Sequence, residues 1–401
     1  IELHNVSGTA VDISGWQLRQ GVDFDFPAGT QIAPEGYLVV AWNPGAFTAL
    51  HPGVQALGPW SGNLSRRGEM VTLRDPNKNV VDQVTDADSG RWSTWADGGG
   101  SSLELKDPLA DNSAPEAWDA SDESGKSNWQ NVTYSGFGAN VGNDPTYWNE
   151  LVLGLLDAGE CLIDDISVVE NPTGTARQLI QNGRFDNGTF NTWRIIGNHH
   201  GSIVDDPTEA GNKVLHLRAT GATEHMSNHA EATLKFGSSF VTISSANQYQ
   251  IAFRVRWLRG SNRFHSRLYF NRLARQTLLN QPVNCGTPGA VNSRKVANLG
   301  PTFAQLQHAP VVPPPNQPTV VRIQISDRDG VASAQLFTSI NGGPFSNIAM
   351  AASDGSYTAT IPGQSSSALV QFYIRATDQF GAVSFFPQDG PASRAMIAWN
   401  D

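Results

Sequence analysis

The stretch Tyr249-Gln250-Ile251-Ala252-Phe253-Arg254-Val255-Arg256-Trp257 sets the fold class. Aromatic and aliphatic residues hold the odd positions, and mostly polar or small residues hold the even ones. A period of two puts one face on a core and the other toward water, the pattern of a half-buried β-strand. Leu162–Val169 alternates in the same way. Few windows carry apolar residues at i, i+3, i+4 and i+7 without Gly or Pro, so no long helix is expected. Short alternating runs between turn residues fill the rest of the chain, which predicts an all-β protein.

Composition narrows the function classes. The chain has 401 residues, enough for several domains. Acidic residues number 37 and basic ones 27, a net charge of −10, which argues against a surface built to grip a phosphate backbone and so against a nucleic-acid partner. No apolar run approaches the ~20 residues of a membrane span. The chain does not open with a basic n-region and an apolar h-region. Two cysteines, Cys161 and Cys285, exclude a disulfide scaffold and a four-cysteine zinc site. Few Lys and Cys with many Trp and Gly fit an exported, extracellular or cell-surface bacterial β protein.

Three β-sandwiches in series are expected. Residues 1–107 hold strand-like runs at Val11–Leu18, Gly36–Trp42, Met70–Leu73 and Val80–Val84, with turns such as Asp75-Pro76-Asn77 between them. Residues 108–297 open on a polar loop, Asp111–Asn128, and continue with strands that predict a jelly roll. Residues 298–318 end in PVVPPPNQP, a polyproline-type spacer. Residues 319–401 hold at least five strands at the spacing of an immunoglobulin-like sandwich.

The first stretch resembles the lamin-tail domain of bacterial exported proteins. Ile1-Glu2-Leu3-His4-Asn5, Val11-Asp12-Ile13-Ser14-Gly15-Trp16-Gln17-Leu18, Phe24-Asp25-Phe26-Pro27 and Gly36-Tyr37-Leu38-Val39-Val40 carry the likeness, completed by Val71–Asp75 and Val80–Val84. In that family another strand precedes the Ile-Glu-Leu segment, so the chain is expected to begin inside a longer polypeptide. The middle stretch resembles galactose-binding-like jelly rolls of carbohydrate-binding modules. Glu160–Val169 is similar to their closing strand and Leu179–Asp186 to their opening strand, an order that implies permutation. Gly286-Thr287-Pro288-Gly289-Ala290-Val291-Asn292 resembles the tail motif that ends lamin-tail segments. Asp327–Val331 and Val370–Asp378 resemble bacterial immunoglobulin-like modules. The succession resembles the region beside the kinase-like domain of spore-coat CotH-family proteins, and Ser393-Arg394-Ala395-Met396 resembles the junction into it. That resemblance implies an accessory region, with a kinase-like domain outside this sequence.

Candidate chemistry lies in the middle stretch. Five histidines, His199, His200, His216, His225 and His229, fall close together. His225 and His229 are spaced i,i+4, which on a helix presents two imidazoles to one metal. In Glu224-His225-Met226-Ser227-Asn228-His229 the Glu precedes the first His, which misplaces the general base of a zincin, so a metal-dependent hydrolase stands against a polar loop or satisfied core histidines. Asp165 and Asp186, with Asp164, offer the carboxylates of a calcium site, and turn capping is the alternative. In the resembling jelly rolls a calcium site near the strand termini is common. Adjacent Asp residues on a strand face opposite sides, so one of Asp164 and Asp165 at most points to a given site.

Sugar binding needs an aromatic face and planar polar groups. Trp193, Trp257 and Tyr269 are candidates, with Arg267 and Asn271 on the same alternating face as Tyr269, and burial in the core is the alternative for the two Trp. Cys161 and Cys285 are open to a bridge or to free thiols. Gly136–Gly142 lacks dinucleotide-loop spacing, Gly98-Gly99-Gly100 lacks a following Lys-Ser/Thr, and no Gly-x-Ser-x-Gly elbow occurs. The expected function is a non-catalytic surface segment for adhesion, assembly or display. Its partners would be glycans, other surface or matrix proteins, or copies of itself. A calcium-dependent carbohydrate-binding module and a histidine-metal hydrolase are the alternatives.

Overall fold

The computed structural model describes residues 1–140, 149–223, 227–393 and 395–400. The protein is nearly all β, built from sandwiches. It divides into two compact units, one formed by Ile1–Ser93, Glu104–Asp119 and Thr287–Asp401, the other by Thr94–Leu103 and Ala120–Gly286.

The second unit is the jelly roll. Its main strands are β1 (Gln130–Phe137), β2 (Glu150–Leu155), β3 (Gly159–Glu170), β4 (Trp193–Ile196), β5 (His199–Asp205), β6 (Lys213–Ala219), β7 (His229–Thr233), β8 (Gln248–Gly260), β9 (Arg263–Leu268) and β10 (Leu273–Leu278). One sheet runs β1-β8-β3-β6-β5 and the other β4-β7-β2-β9-β10, with antiparallel neighbours throughout. Alternation selects the core. Tyr249, Ile251, Phe253, Val255 and Trp257 of β8 face Leu151, Leu153 and Leu155 of β2 within one buried cluster. The two ends of this unit's longer segment, Ala120–Gly286, are tied: the Gly286 N–H donates to Glu123 Oε1 at 2.7 Å, and Lys126 Nζ donates to the Gly286 carbonyl at 2.6 Å.

In the other unit, the N-terminal stretch pairs Val80–Thr85, Met70–Arg74, Gln17–Gln20, Val22–Asp25 and Ser61–Gly62 in one sheet. Ile13, Leu18, Val22, Phe26, Ile32 and Val40 form its core, and Trp16 packs against them half-buried. The one short helix of this stretch, Pro44–Leu50, is capped by Asn43, whose side chain accepts from the Ala46 N–H at 3.0 Å. The segment 286–292 leads into residues that fold back on this stretch. Thr287 Oγ1 and Ser293 Oγ donate to the buried Glu104 at 2.7 Å each, and Asn292 donates to the Leu105 carbonyl at 2.9 Å.

The C-terminal sandwich sets Thr302–Ala309, Thr319–Ser326, Ser356–Ile361 and Ala351–Ser353 against a sheet built on Val331–Ile340 and Leu369–Asp378. Val321, Ile323, Ile325, Leu336, Ile374 and Trp399 fill the space between. Thr302–Ala309 lies inside the stretch read as a spacer, yet it is a strand. A register shift between Ala304 and Gln307 breaks its alternation, which hides it from a period-two reading.

Candidate functional site

On β2 the residues Leu151, Leu153 and Leu155 enter the core, so Glu150, Val152 and Gly154 belong to the opposite face of the sheet. Register extends that face across the neighbouring strands. Arg194 pairs with Glu231, Glu231 with Val152, and Val152 with Arg267. In the next row Ile196 pairs with His229, and Gly154 with His265.

Arg194 clamps two carboxylates. Its Nε donates to Glu231 Oε1 and its Nη2 to Glu150 Oε1, both at 2.6 Å. The two carboxylate side chains are 11% and 5% exposed while the Arg194 side chain remains 48% exposed, so the acids are the buried partners. Burial raises the Glu150 carboxyl above its ordinary range, and the Glu231 charge adds to the rise. Burial would also raise Glu231, but its hydrogen bonds to His229 and Arg194 outweigh burial and hold it low.

Three buried imidazoles gather around Gly154. His229 Nε2 lies 2.9 Å from Glu231 Oε2. His199 Nε2 accepts the Leu155 N–H at 3.1 Å, and His199 Nδ1 lies 2.9 Å from Asn198 Oδ1, which fixes a neutral Nδ1–H tautomer. A Cβ at position 154 would stand 2.6 Å from His199 Nε2, so only glycine leaves room for that ring. Burial, with His229 and His200 near, lowers His199 to about 4. Burial, with Arg267 and the other two imidazoles near, lowers His265 to about 3. His199 also lines a groove of about 310 Å³ with Phe190, Trp193, Ile195, His200 and Gly201. Among the described residues, four buried polar atoms on this one face lack a hydrogen-bond partner: Glu150 Oε2, His229 Nδ1, His265 Nε2 and Arg267 Nε. Such atoms are rare in folded proteins, where ordered water or an ion commonly satisfies them.

The structure brings part of the expected sugar site together. Arg267 Nη1 donates to Asn271 Oδ1 at 3.3 Å, and Tyr269 stands half-buried between them in sequence, 5.9 Å from the exposed Phe270 ring. Trp193 and Trp257 do not belong to such a surface. They are 6% and 1% exposed and lie in the core, because both occupy the core parity of their strands. Trp257 Nε1 donates to the Gly260 carbonyl at 3.0 Å, and Trp193 Nε1 to the Asn182 carbonyl at 3.1 Å.

Of the expected metal residues, His225 lies outside the described residues. His229 opens a strand rather than a helix. Asp165 and Asp186 do approach one another, but Arg184 stands by both, at 3.6 and 3.5 Å, in place of a cation. The one-side-only expectation for Asp164 and Asp165 fails. Arg254 reaches Asp164 at 2.7 Å and Asp165 at 3.3 Å, because the register shifts between Asp164 and Ser167 and Asp165 adopts φ +51. Asp206 joins the same guanidinium at 2.8 Å, which stacks on Trp129 at 4.4 Å.

Sequence reasoning missed His265, which only the register with Gly154 brings to the cluster, and it missed a second acidic group. Among the described residues, one set of three His, Cys, Asp or Glu side chains converges within 4.8 Å: Asp327, Asp329 and Asp378 of the C-terminal sandwich. Oxygen donors of this kind suit a hard cation. Asp378 is nevertheless occupied as a turn cap, accepting the Phe380 and Ala382 N–H groups at 2.9 and 2.8 Å. Cys161 is buried and Cys285 half-buried, and the two are free thiols rather than a bridge. Burial, with Glu160 beside it, pushes the Cys161 thiol far up, and burial with Glu123 pushes Cys285 up to about 11.

Residues 1–88 match the family described as Lamin Tail Domain, which bears out the resemblance of the first stretch. No curated protein matches the chain. Among solved structures, the crystal structure of a bromine derivative of BhCBM56 is 8% identical with a TM-score of 0.18, over 26% of this chain and 97% of that one. A Ca2+-stabilized adhesin that helps an Antarctic bacterium reach out and bind ice is 10% identical with a TM-score of 0.17, over 98% and 94% of the two chains. Likenesses at these TM-scores say nothing about function. No described helix is long and apolar enough to cross a membrane.

Proposed function

We propose that this chain is a non-catalytic, multidomain β segment of an exported or cell-surface protein, and that its jelly roll binds carbohydrate on the outer face of the β4-β7-β2-β9-β10 sheet. One observation carries the reading: Arg267, Asn271, Tyr269 and the Arg194–Glu150–Glu231 clamp share an end of that face, where polar atoms remain unpartnered. Sugar hydroxyls are paired donors and acceptors, and planar guanidinium and amide groups match them, while an aromatic ring covers the apolar side of the pyranose. The buried, mutually neutralised charges favour a neutral ligand over an ionic one.

A glycan array probed with the full chain, with and without calcium, tests this. Binding that falls at least tenfold in Arg267→Ala and Tyr269→Ala supports the site. A blank array under both conditions overturns it. The succession of lamin-tail stretch, jelly roll and immunoglobulin-like module supports an accessory place beside a CotH-type domain. Intact mass of the native polypeptide with peptide mapping at both ends tests that part separately.

A further inference from the structure

We infer that the outer face of the opposite sheet, β1-β8-β3-β6-β5, carries a second binding site, one for an acidic polysaccharide, formed by Arg218 and Arg259 beside the buried carboxylate of Glu160. Cys161 and Leu217 enter the core, so Glu160 on β3 and Arg218 on β6 lie on the outer face. Register sets Arg259, Glu160, Arg218 and His200 side by side across β8, β3, β6 and β5. At a strand spacing of about 4.8 Å that row is roughly 14 Å long. His216 stands two residues from Arg218 on the same face.

The row is unevenly charged. Glu160 Oε1 accepts from Arg259 Nη2 at 2.8 Å and lies 3.5 Å from Arg218 Nε, while His216 Nε2 lies 3.1 Å from Glu160 Oε2. Both carboxylate oxygens are therefore taken by neighbours in the sheet, and that side chain is 7% exposed. Two guanidiniums against one carboxylate leave a surplus positive charge. Among the described residues neither guanidinium pairs with another acid, and Arg218 is 52% exposed with Nη1 and Nη2 unpartnered. The exposed His200 extends the row with a ring donor. Trp95, in the short turn Thr94–Ala96 of the same unit, stacks 5.2 Å from the Arg259 guanidinium and holds it in place. An oxyanion meets Arg218 Nη1 and Nη2 and the His200 ring with no existing contact broken. The chain carries a net charge of −10, so the attraction is local, and salt of 0.1 M screens exposed charges beyond about 10 Å. Spaced donors of this kind fit a polymer with one carboxylate or sulfate per sugar, whereas duplex DNA, with a charge every ~1.7 Å, demands a denser basic surface. On the Arg194 face two acids neutralise one arginine, so the present site does not rest on the sugar reading given there.

Titration calorimetry of the full chain with oligogalacturonate, its methyl ester and dextran sulfate tests the inference. Oligogalacturonate or dextran sulfate should bind, the stronger of the two naming the group, and the affinity should fall at least tenfold between about 50 and about 500 mM salt. The methyl ester, which lacks the charge, should bind at least tenfold more weakly than oligogalacturonate if the carboxylate is the group. Arg218→Gln and Arg259→Gln should each weaken binding at least fivefold. Glu160→Gln removes the competing carboxylate and should tighten it at least threefold, the opposite sign to a variant that only loosens the sheet. Should that buried substitution prevent cooperative melting, the exposed Arg218 decides. Arg263→Gln makes the same charge change at the exposed start of β9 on the other sheet and should leave affinity within twofold. Absence of binding to both acidic polymers, equal loss in Arg218→Gln and Arg263→Gln, or tighter binding to duplex DNA overturns the site. Array hits on neutral glycans that depend on Arg267, without binding to either acidic polymer, would overturn this inference and keep the sugar reading, and the reverse pattern would do the opposite.

Discussion

Replacing Arg194 with alanine tests the electrostatic reasoning at its most exposed point. The substitution removes two charge-assisted hydrogen bonds of 2.6 Å and leaves Glu150 and Glu231 facing each other with their side chains 5% and 11% exposed. Breaking a fully buried pair costs about 3–5 kcal/mol, whereas a surface pair contributes about 0–1. The Arg194 side chain is 48% exposed, so water can replace part of what it supplies, and a value between those limits, about 2 kcal/mol, follows. For a unit of this size that lowers the melting temperature by about 4–8 °C. Glu150 should be the source of the loss, because burial and Glu231 already raise it, whereas Glu231 keeps His229. Glu150→Gln in the Arg194→Ala background should therefore recover more than half of the deficit, and acidification should shrink the deficit as Glu150 takes up a proton. Scanning calorimetry of the full chain, with the jelly-roll transition assigned by hydrogen exchange at β2, provides the readout. An Arg194→Ala transition within 1 °C of the parent, or a deficit that Glu150→Gln leaves unchanged, would refute the argument.

Further outcomes are expected elsewhere. Burial would raise Glu160, but hydrogen bonds from His216 and Arg259 prevail and hold it near 2 against an ordinary 4.5. A depressed carboxylate stabilises above its unfolded value and loses that contribution as pH falls toward the folded one, so about 3 kcal/mol should vanish between pH 4.5 and 2. Urea melts of Glu160→Gln should decline less steeply than the parent over that window. Trp257→Ala should destabilise the jelly roll by about 3–5 kcal/mol, and a loss under 1 would mean that the ring is not core. Thiol labelling of the native chain should reach Cys285 slowly and leave Cys161 untouched until unfolding, with identical mobility on reducing and non-reducing gels.

The strands were legible where one parity carried all the apolar residues. In β8 the residues Tyr249 to Trp257 at odd positions are all buried, and the same parity argument sends Trp257 inward rather than onto a binding surface. Arg267 and Asn271 were found because they lie near each other along one strand and its turn. Arg194, Glu150 and Glu231 come from three strands, and His265 reaches the other imidazoles only through the register of β2 with β9. A sequence read one strand at a time carries no register, so that clamp and that cluster stayed hidden. Bulges concealed the rest. The shift after Asp164 turned two supposedly opposed carboxylates toward one arginine, and the shift after Ala304 disguised a strand as a spacer.

The tie at the jelly roll's two ends has a consequence for how the whole chain comes together. Residues 1–93 and 287–401 belong to one compact unit, so the second of these segments leaves the ribosome only after the entire jelly roll has. While the jelly roll is unfolded, it is a loop of well over a hundred residues whose closure the other unit requires. Once folded, the bonds of Glu123 and Lys126 to Gly286 present its ends side by side, and the loop shrinks to a few residues. The logarithmic dependence of closure entropy on length puts the difference at roughly 3 kcal/mol. The chain itself therefore couples the two units, and a lesion that melts the jelly roll costs the other unit that closure entropy without touching one of its side chains.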